Sequence, residues 1–126
     1  MKKATIRITR HFAGNLEDIE EILLEAEAPE AFSALLDDLF GEIIPALERY
    51  PDLGTDFFRR RPSSREASEM ESALRKRLGP QTTLRELIRG DYLILHARRA
   101  NDIYLLAVKH HRQFPFDLPE FWAETL

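Results

Sequence analysis

"TLRELIRGDYLILHARRANDIYLLAVK", Thr83 to Lys109, decides the fold. It divides into three apolar runs, Thr83–Arg89, Tyr92–Arg98 and Asp102–Lys109. The breaks between them, Gly90-Asp91 and Ala100-Asn101, are short turns, and turns that short join antiparallel neighbours. The stretch therefore predicts a three-stranded antiparallel meander. Just before it, Gly79-Pro80 stops a charged helix expected over 64–78, which opens on the cap Ser63-Ser64-Arg65-Glu66. That helix carries only Met70, Leu74 and Leu78 as larger apolar residues, so it packs weakly or covers an edge.

The first fifty residues read differently. Ala4 to Thr9 alternates, with Ile6 and Ile8 on one side and Thr5, Arg7 and Thr9 on the other, which is the pattern of a half-buried strand. Asn15-Leu16-Glu17-Asp18 resembles a helix start with Asn15 as cap. Leu16, Ile19, Ile22, Leu23 and Ala26 then form one helical face, and His11 falls in the preceding turn. Pro29 suits the first turn of a second helix running to Tyr50, with Phe32, Leu35, Leu36, Phe40, Ile43, Ile44 and Leu47 as its apolar face. Pro45 removes a backbone donor inside that helix and predicts a kink near Gly41. Pro51 ends it, and Asp52 to Pro62 reads as a loop. Two amphipathic helices with so short a connection make an antiparallel hairpin.

The whole chain of 126 residues is thus expected to be a single α+β domain, 1–126. Its order is an N-terminal strand, an antiparallel helical hairpin, an extra helix at 64–78 and a three-stranded antiparallel meander, with the helices on one sheet face. An aromatic tail, 114–126, closes it and holds Pro115, Pro119 and the only tryptophan, Trp122.

Composition bounds the chemistry. Apolar residues are 44% and charged residues 32%, enough for one core. With no cysteine, disulfides, thiolate zinc sites and cysteine nucleophiles are excluded, which fits a reducing cytoplasm. No apolar run approaches the ~18 residues of a membrane helix, and charges return at Arg7 and Arg10 where a signal peptide would be apolar. The net charge of −4 hides an asymmetry: residues 1–58 carry 13 acids and 5 bases, residues 59–126 carry 9 acids and 13 bases. A local basic face in the second half could hold phosphates or an acidic partner.

The ordered set of segments, above all "ALERYPDLG" (Ala46 to Gly54) and "LRELIRGDYLILHARRANDIYLLAVKHHRQ" (Leu84 to Gln113), resembles the RelE/ParE family of toxins from type II toxin–antitoxin modules. The resemblance spans roughly Ile6–Gly54 and Leu84–Gln113 and is nearer the ParE side. It implies a compact RelE/ParE-like α+β toxin of the cytoplasm, neutralised by a small antitoxin. It implies one of two activities: binding of DNA gyrase, as ParE-like members do, or ribosome-dependent cleavage of messenger RNA, as RelE-like members do. An inactive relative that serves only as a binding partner is the third reading. Three features depart from the RNA-cutting pattern. Leu93 follows Tyr92 where those members usually carry arginine, the chain is acidic rather than basic, and the helix at 64–78 is longer than the family's usual connection.

Metal-independent RNA cleavage needs a base, an acid and a cation for the phosphate. The set available at the strand ends is His110 and Arg112, with Arg89 or Tyr92 from neighbouring strands. On a strand His110 and Arg112 share one face while Lys109 and His111 share the other. Set against this is a polar strand terminus that merely hydrogen-bonds. For a protein-binding role the candidates are Lys109, His111, Phe114, Phe116 and Trp122 at the strand end and tail, and Arg59, Arg60 and Arg61 in the loop, because aromatics and arginine dominate interface energies. Core packing of the tail and a solvated loop are the plainer alternatives. His96 reads as a hydrogen-bonded, half-buried histidine on the face of Tyr92 and Ile94. Adjacent His110 and His111 point oppositely, no His-Glu-x-x-His pattern exists, and neither a metal nor any other cofactor is expected. No membrane partner is expected, nor sequence-specific DNA binding by the chain alone.

Overall fold

The computed structural model describes residues 3–56 and 81–110, together with 72, 73, 76, 77 and 79 between them. Strand β1 is Thr5–Ile8, helix α1 Arg10–Glu25 and helix α2 Pro29–Asp38. A five-residue π-helical turn, Leu39–Ile43, joins α2 to helix α3, Ile44–Arg49. A two-residue strand β2, Thr55–Asp56, precedes the meander β3 (Thr82–Arg89), β4 (Tyr92–Arg99) and β5 (Asp102–His110). One five-stranded sheet results, in the order β1-β5-β4-β3-β2. It is mixed, because β1 lies parallel to β5 while all other pairs are antiparallel.

The meander forms where its sequence predicts. Gly90 takes a φ of +59°, which suits glycine at the first position of a two-residue hairpin loop. Ala100 takes a φ of +54° at the same position of the next loop, where a Cβ is unwelcome. The β1-to-β5 pairing is parallel and remote, so nothing local in the sequence announces it. Strand β2 was also hidden, inside the stretch read as loop.

Four expectations for the helices are corrected, three in the first helix and one in the second. Helix α1 begins at Arg10, not after Asn15, and His11 lies in its first turn rather than in a connecting turn. Its cap is Thr9, whose Oγ1 accepts from the Phe12 N–H at 3.2 Å. The same hydroxyl donates to the Leu105 carbonyl at 2.7 Å, so one side chain both starts the helix and fixes it to β5. Asn15 instead accepts from the Val108 N–H at 3.2 Å.

The irregularity expected near Gly41 is the π-helical turn, where the Ile44 N–H reaches back to the Leu39 carbonyl. Pro45 has no N–H for the Gly41 carbonyl and its ring crowds that oxygen, which favours a widened turn. The widening changes the buried face. Leu35, Leu39, Ile43 and Leu47 are all buried, whereas Phe40, placed on the apolar face by helical spacing, is 52% exposed.

The helix-side core joins Phe12, Ile19, Leu35, Leu39, Ile43 and Leu47 to Ile94, Ile103, Leu105 and Val108 of the sheet. The opposite face of the meander is buried as well, through Leu84, Leu93, Leu95, Ala97 and Leu106. Register between β4 and β5 shifts at Leu95/His96, a bulge that re-aims the end of β5. Of the helix expected over 64–78, Ser72, Ala73, Lys76 and Arg77 are described, are helical and are exposed; its remainder and the tail 114–126 lie outside the described residues.

Candidate functional site

The strand ends bring three of the candidate residues into one row. Arg89 of β3 lies opposite Tyr92 of β4, and Tyr92 lies opposite His110 of β5. The Tyr92 and His110 rings meet edge to face, 5.5 Å between centroids and 80° between planes. Both side chains are half-buried. Burial pushes the Tyr92 phenol above its ordinary pKa, and Asp91 adds to the shift. At neutral pH the phenol therefore keeps its proton and can donate it in a hydrogen bond.

The cation of the row is already engaged. Arg89 Nε and Nη2 donate to the Asp38 carboxylate at 2.9 to 3.2 Å, a two-pronged pair between β3 and the end of α2. The hydrogen bond to Asp38, then its charge, raises the guanidinium pKa further. This pairing holds the arginine in place and offsets its charge, so a phosphate would have to compete with Asp38 for it. Sequence reasoning missed Asp38. It is one of two adjacent acids on a helix, and nothing local marks it as the partner of a strand 51 residues away.

Lys109 is half-buried and lies opposite Leu93, on the neighbouring position of β5. Leu93 itself is 1% exposed on the face away from Tyr92. Its alternation along β4 means that an arginine at 93 would point away from the row. Arg112, His111, Phe114, Phe116, Trp122, Arg59, Arg60 and Arg61 lie outside the described residues.

A second polar cluster sits lower on the helix-side face. His96 is 1% exposed, and its Nε2 lies 2.9 Å from the Leu53 carbonyl, which makes Nε2 the protonated donor. Its Nδ1 is buried with no hydrogen-bond partner. Burial is the main reason its pKa falls to about 4, with the bond to Leu53 working against the fall and the charge of Arg85 adding to it. Arg98 Nη1 donates to both Asp52 oxygens at 3.0 Å, and Arg85 Nη1 donates to the Gly54 carbonyl at 3.0 Å. These bonds fasten the turn after α3 to the sheet. His96 is buried more completely than the sequence suggested, and its role here is structural.

Comparison with solved structures yields a match to a chain of "Chromosomal ParDE TA system from P. aeruginosa", with a TM-score of 0.53. The match covers 86% of this chain and 96% of that one, at 18% identity. The fold is ParE-like. No protein-family model and no curated protein sequence matches the chain. Within the ParE-like fold, the row Arg89–Tyr92–His110 stands where the three meander strands end together, next to the last turn of α2. Among the described residues no helix is long and apolar enough to cross a membrane.

Proposed function

We propose that this chain is the toxin of a type II toxin–antitoxin module, acting in the cytoplasm by binding an essential protein target such as DNA gyrase and silenced by a small antitoxin. The likeness in fold over 86% of the chain carries this reading. The row at the strand ends supports contact rather than cleavage. It offers an aromatic pair and a braced arginine, groups that suit a protein interface. Among the described residues its arginine is already committed, since Asp38 holds Arg89. Lys109 and His110, with His111, Arg112 and the aromatic tail that follow them in sequence, are the proposed contact surface for target or antitoxin. Arg59, Arg60 and Arg61 are proposed to meet acidic groups of a partner.

The edge-to-face contact of Tyr92 and His110 favours one other reading, a RelE-like ribonuclease in which His110 moves a proton. His110→Ala separates the two. Loss of a general acid or base lowers cleavage by about 100-fold or more. Loss of one contact in a binding surface weakens inhibition in a graded way, by about tenfold for roughly 1.4 kcal/mol. Dose–response curves of purified wild type and His110→Ala in a gyrase supercoiling assay and in ribosome-coupled transcript cleavage make the distinction. Supercoiling inhibited by wild type, with transcripts intact, is the expected result. Cleavage that vanishes in His110→Ala would overturn the proposal.

A further inference from the structure

Strand β5 outlasts its parallel neighbour. Strand β1 ends at Ile8, paired with Leu105, whereas β5 runs on to His110. Beside this unflanked stretch the edge faces a groove rather than a strand. The groove encloses about 420 Å³ between α1 and β5, lined by Asn15, Asp18, Ile19, Glu21, Ile22, Val108 and Lys109. A second hollow of about 800 Å³ continues it along Arg10, His11 and Gly14 and shares Asn15 and Asp18 with it. Asn15 stands in for the missing strand by accepting from the Val108 N–H.

We infer that this groove receives an extended segment of a partner protein in which basic and aliphatic side chains alternate. Three observations specify the occupant. First, a groove that prolongs the line of an edge strand fits an extended chain, the geometry by which peptides add to sheets. From Arg10 to Ile22 the helix rises about 18 Å, the length of roughly five to six extended residues. Second, the floor offers an aliphatic contact. Ile22 is 49% exposed although it belongs to the apolar run of α1, and it stands beside Val108. Third, the wall is acidic. Asp18 and Glu21 line it, and Glu17, Glu20 and Glu25 are exposed on the same helix, five acids against Lys109 on the β5 side and Arg10 at the start of the helix. The complement is a segment bearing lysine or arginine on one side and valine, leucine or isoleucine on the other. The chain's own residues 111–126 do not supply that charge, because Arg112 is outnumbered there by Asp117, Glu120 and Glu124. The inference stands on the groove and does not depend on the toxin reading.

The test titrates the full chain, labelled with nitrogen-15, with two capped heptapeptides, Lys-Val-Lys-Val-Lys-Val-Lys and Glu-Val-Glu-Val-Glu-Val-Glu. The lysine peptide is expected to give saturable amide shifts at Asn15, Asp18, Ile22 and Val108 that weaken with added salt, and the glutamate peptide none. The double charge reversal Asp18→Lys/Glu21→Lys is expected to weaken the lysine peptide at least tenfold. The neutral pair Asp18→Asn/Glu21→Gln, the milder change, is expected to fall between. Shifts that do not saturate, that map elsewhere, that arise equally with both peptides or that persist unchanged in the double variants would overturn the inference. So would concentration-dependent shifts at these amides without peptide, which would give the groove to a second copy of the chain.

Discussion

At the residue scale the firmest consequence concerns His96. Its folded pKa of about 4 lies below the ordinary value of 6.5, so the unfolded chain binds the proton more readily. The neutral ring therefore stabilises the fold fully above pH ~6.5, and that contribution is lost as pH falls toward 4. A shift of this size corresponds to roughly 3 kcal/mol across the window. Urea unfolding of wild type and His96→Leu at pH 7 and pH 4.5 checks it. The wild type is expected to lose more stability than the variant between the two, and parallel losses would show that His96 does not titrate on unfolding. Gly54 gives a second test. Its φ is +101°, and an added Cβ would lie 2.6 Å from the Glu86 carbonyl oxygen. Gly54→Ala is expected to cost about 2 kcal/mol or more in the same measurement. The sequence marks both residues only faintly. A glycine after a proline-ended helix reads as an ordinary turn, and a histidine among leucines reads as half-buried. His96 is held by the Leu53 carbonyl, and Gly54 by the Arg85 bond to its own carbonyl and the close approach of the Glu86 carbonyl, contacts that alternation along one strand does not reveal.

At the scale of elements, the meander was legible because its signals are local: apolar runs, two-residue breaks and a glycine where φ turns positive. The same logic gives an expectation for the other loop. Ala100 holds a φ of +54° in the position that Gly90 occupies one hairpin earlier. Ala100→Gly relieves that strain at some cost in unfolded-chain entropy, and a net gain of about 0.5 to 1 kcal/mol is expected by thermal or urea unfolding. A loss would mean that the backbone tolerates alanine there. The helices were read less well, for two physical reasons. Thr9 caps α1 because its hydroxyl also bonds Leu105, a contact across 96 residues, so the nearer-looking cap at Asn15 was displaced. In the second helix, a row repeating every four residues drifts by about 40° per step around a regular α-helix. Spacing therefore favoured Phe40 over Leu39. The π-helical turn takes up part of that drift and keeps Leu35, Leu39, Ile43 and Leu47 facing the sheet. Leu39→Ala, at a fully buried position, is expected to cost about 2 to 5 kcal/mol, whereas Phe40→Ala should cost far less. Comparable losses would mean that the turn does not set the register.

At the scale of the molecule, the parallel pairing of β1 with β5 closes the domain and brings the start of α1 against the last strand. The antiparallel registers of β3, β4 and β5 bring Arg89, Tyr92 and His110 into their row, and the Arg89–Asp38 pair ties that row to the end of α2. The sequence offered these three as one set because they fall at the ends of neighbouring strands joined by short turns. It did not reveal that Asp38 holds the arginine, and that contact weighs most against a phosphate-handling site among the described residues. The central claim is a toxin that acts by binding rather than by cutting RNA. The most direct measurement is pulse labelling of DNA and protein synthesis in one culture after induction of the chain without an antitoxin. DNA synthesis is expected to stop first while protein synthesis continues. Protein synthesis stopping first would contradict the account and make the ribosome the target.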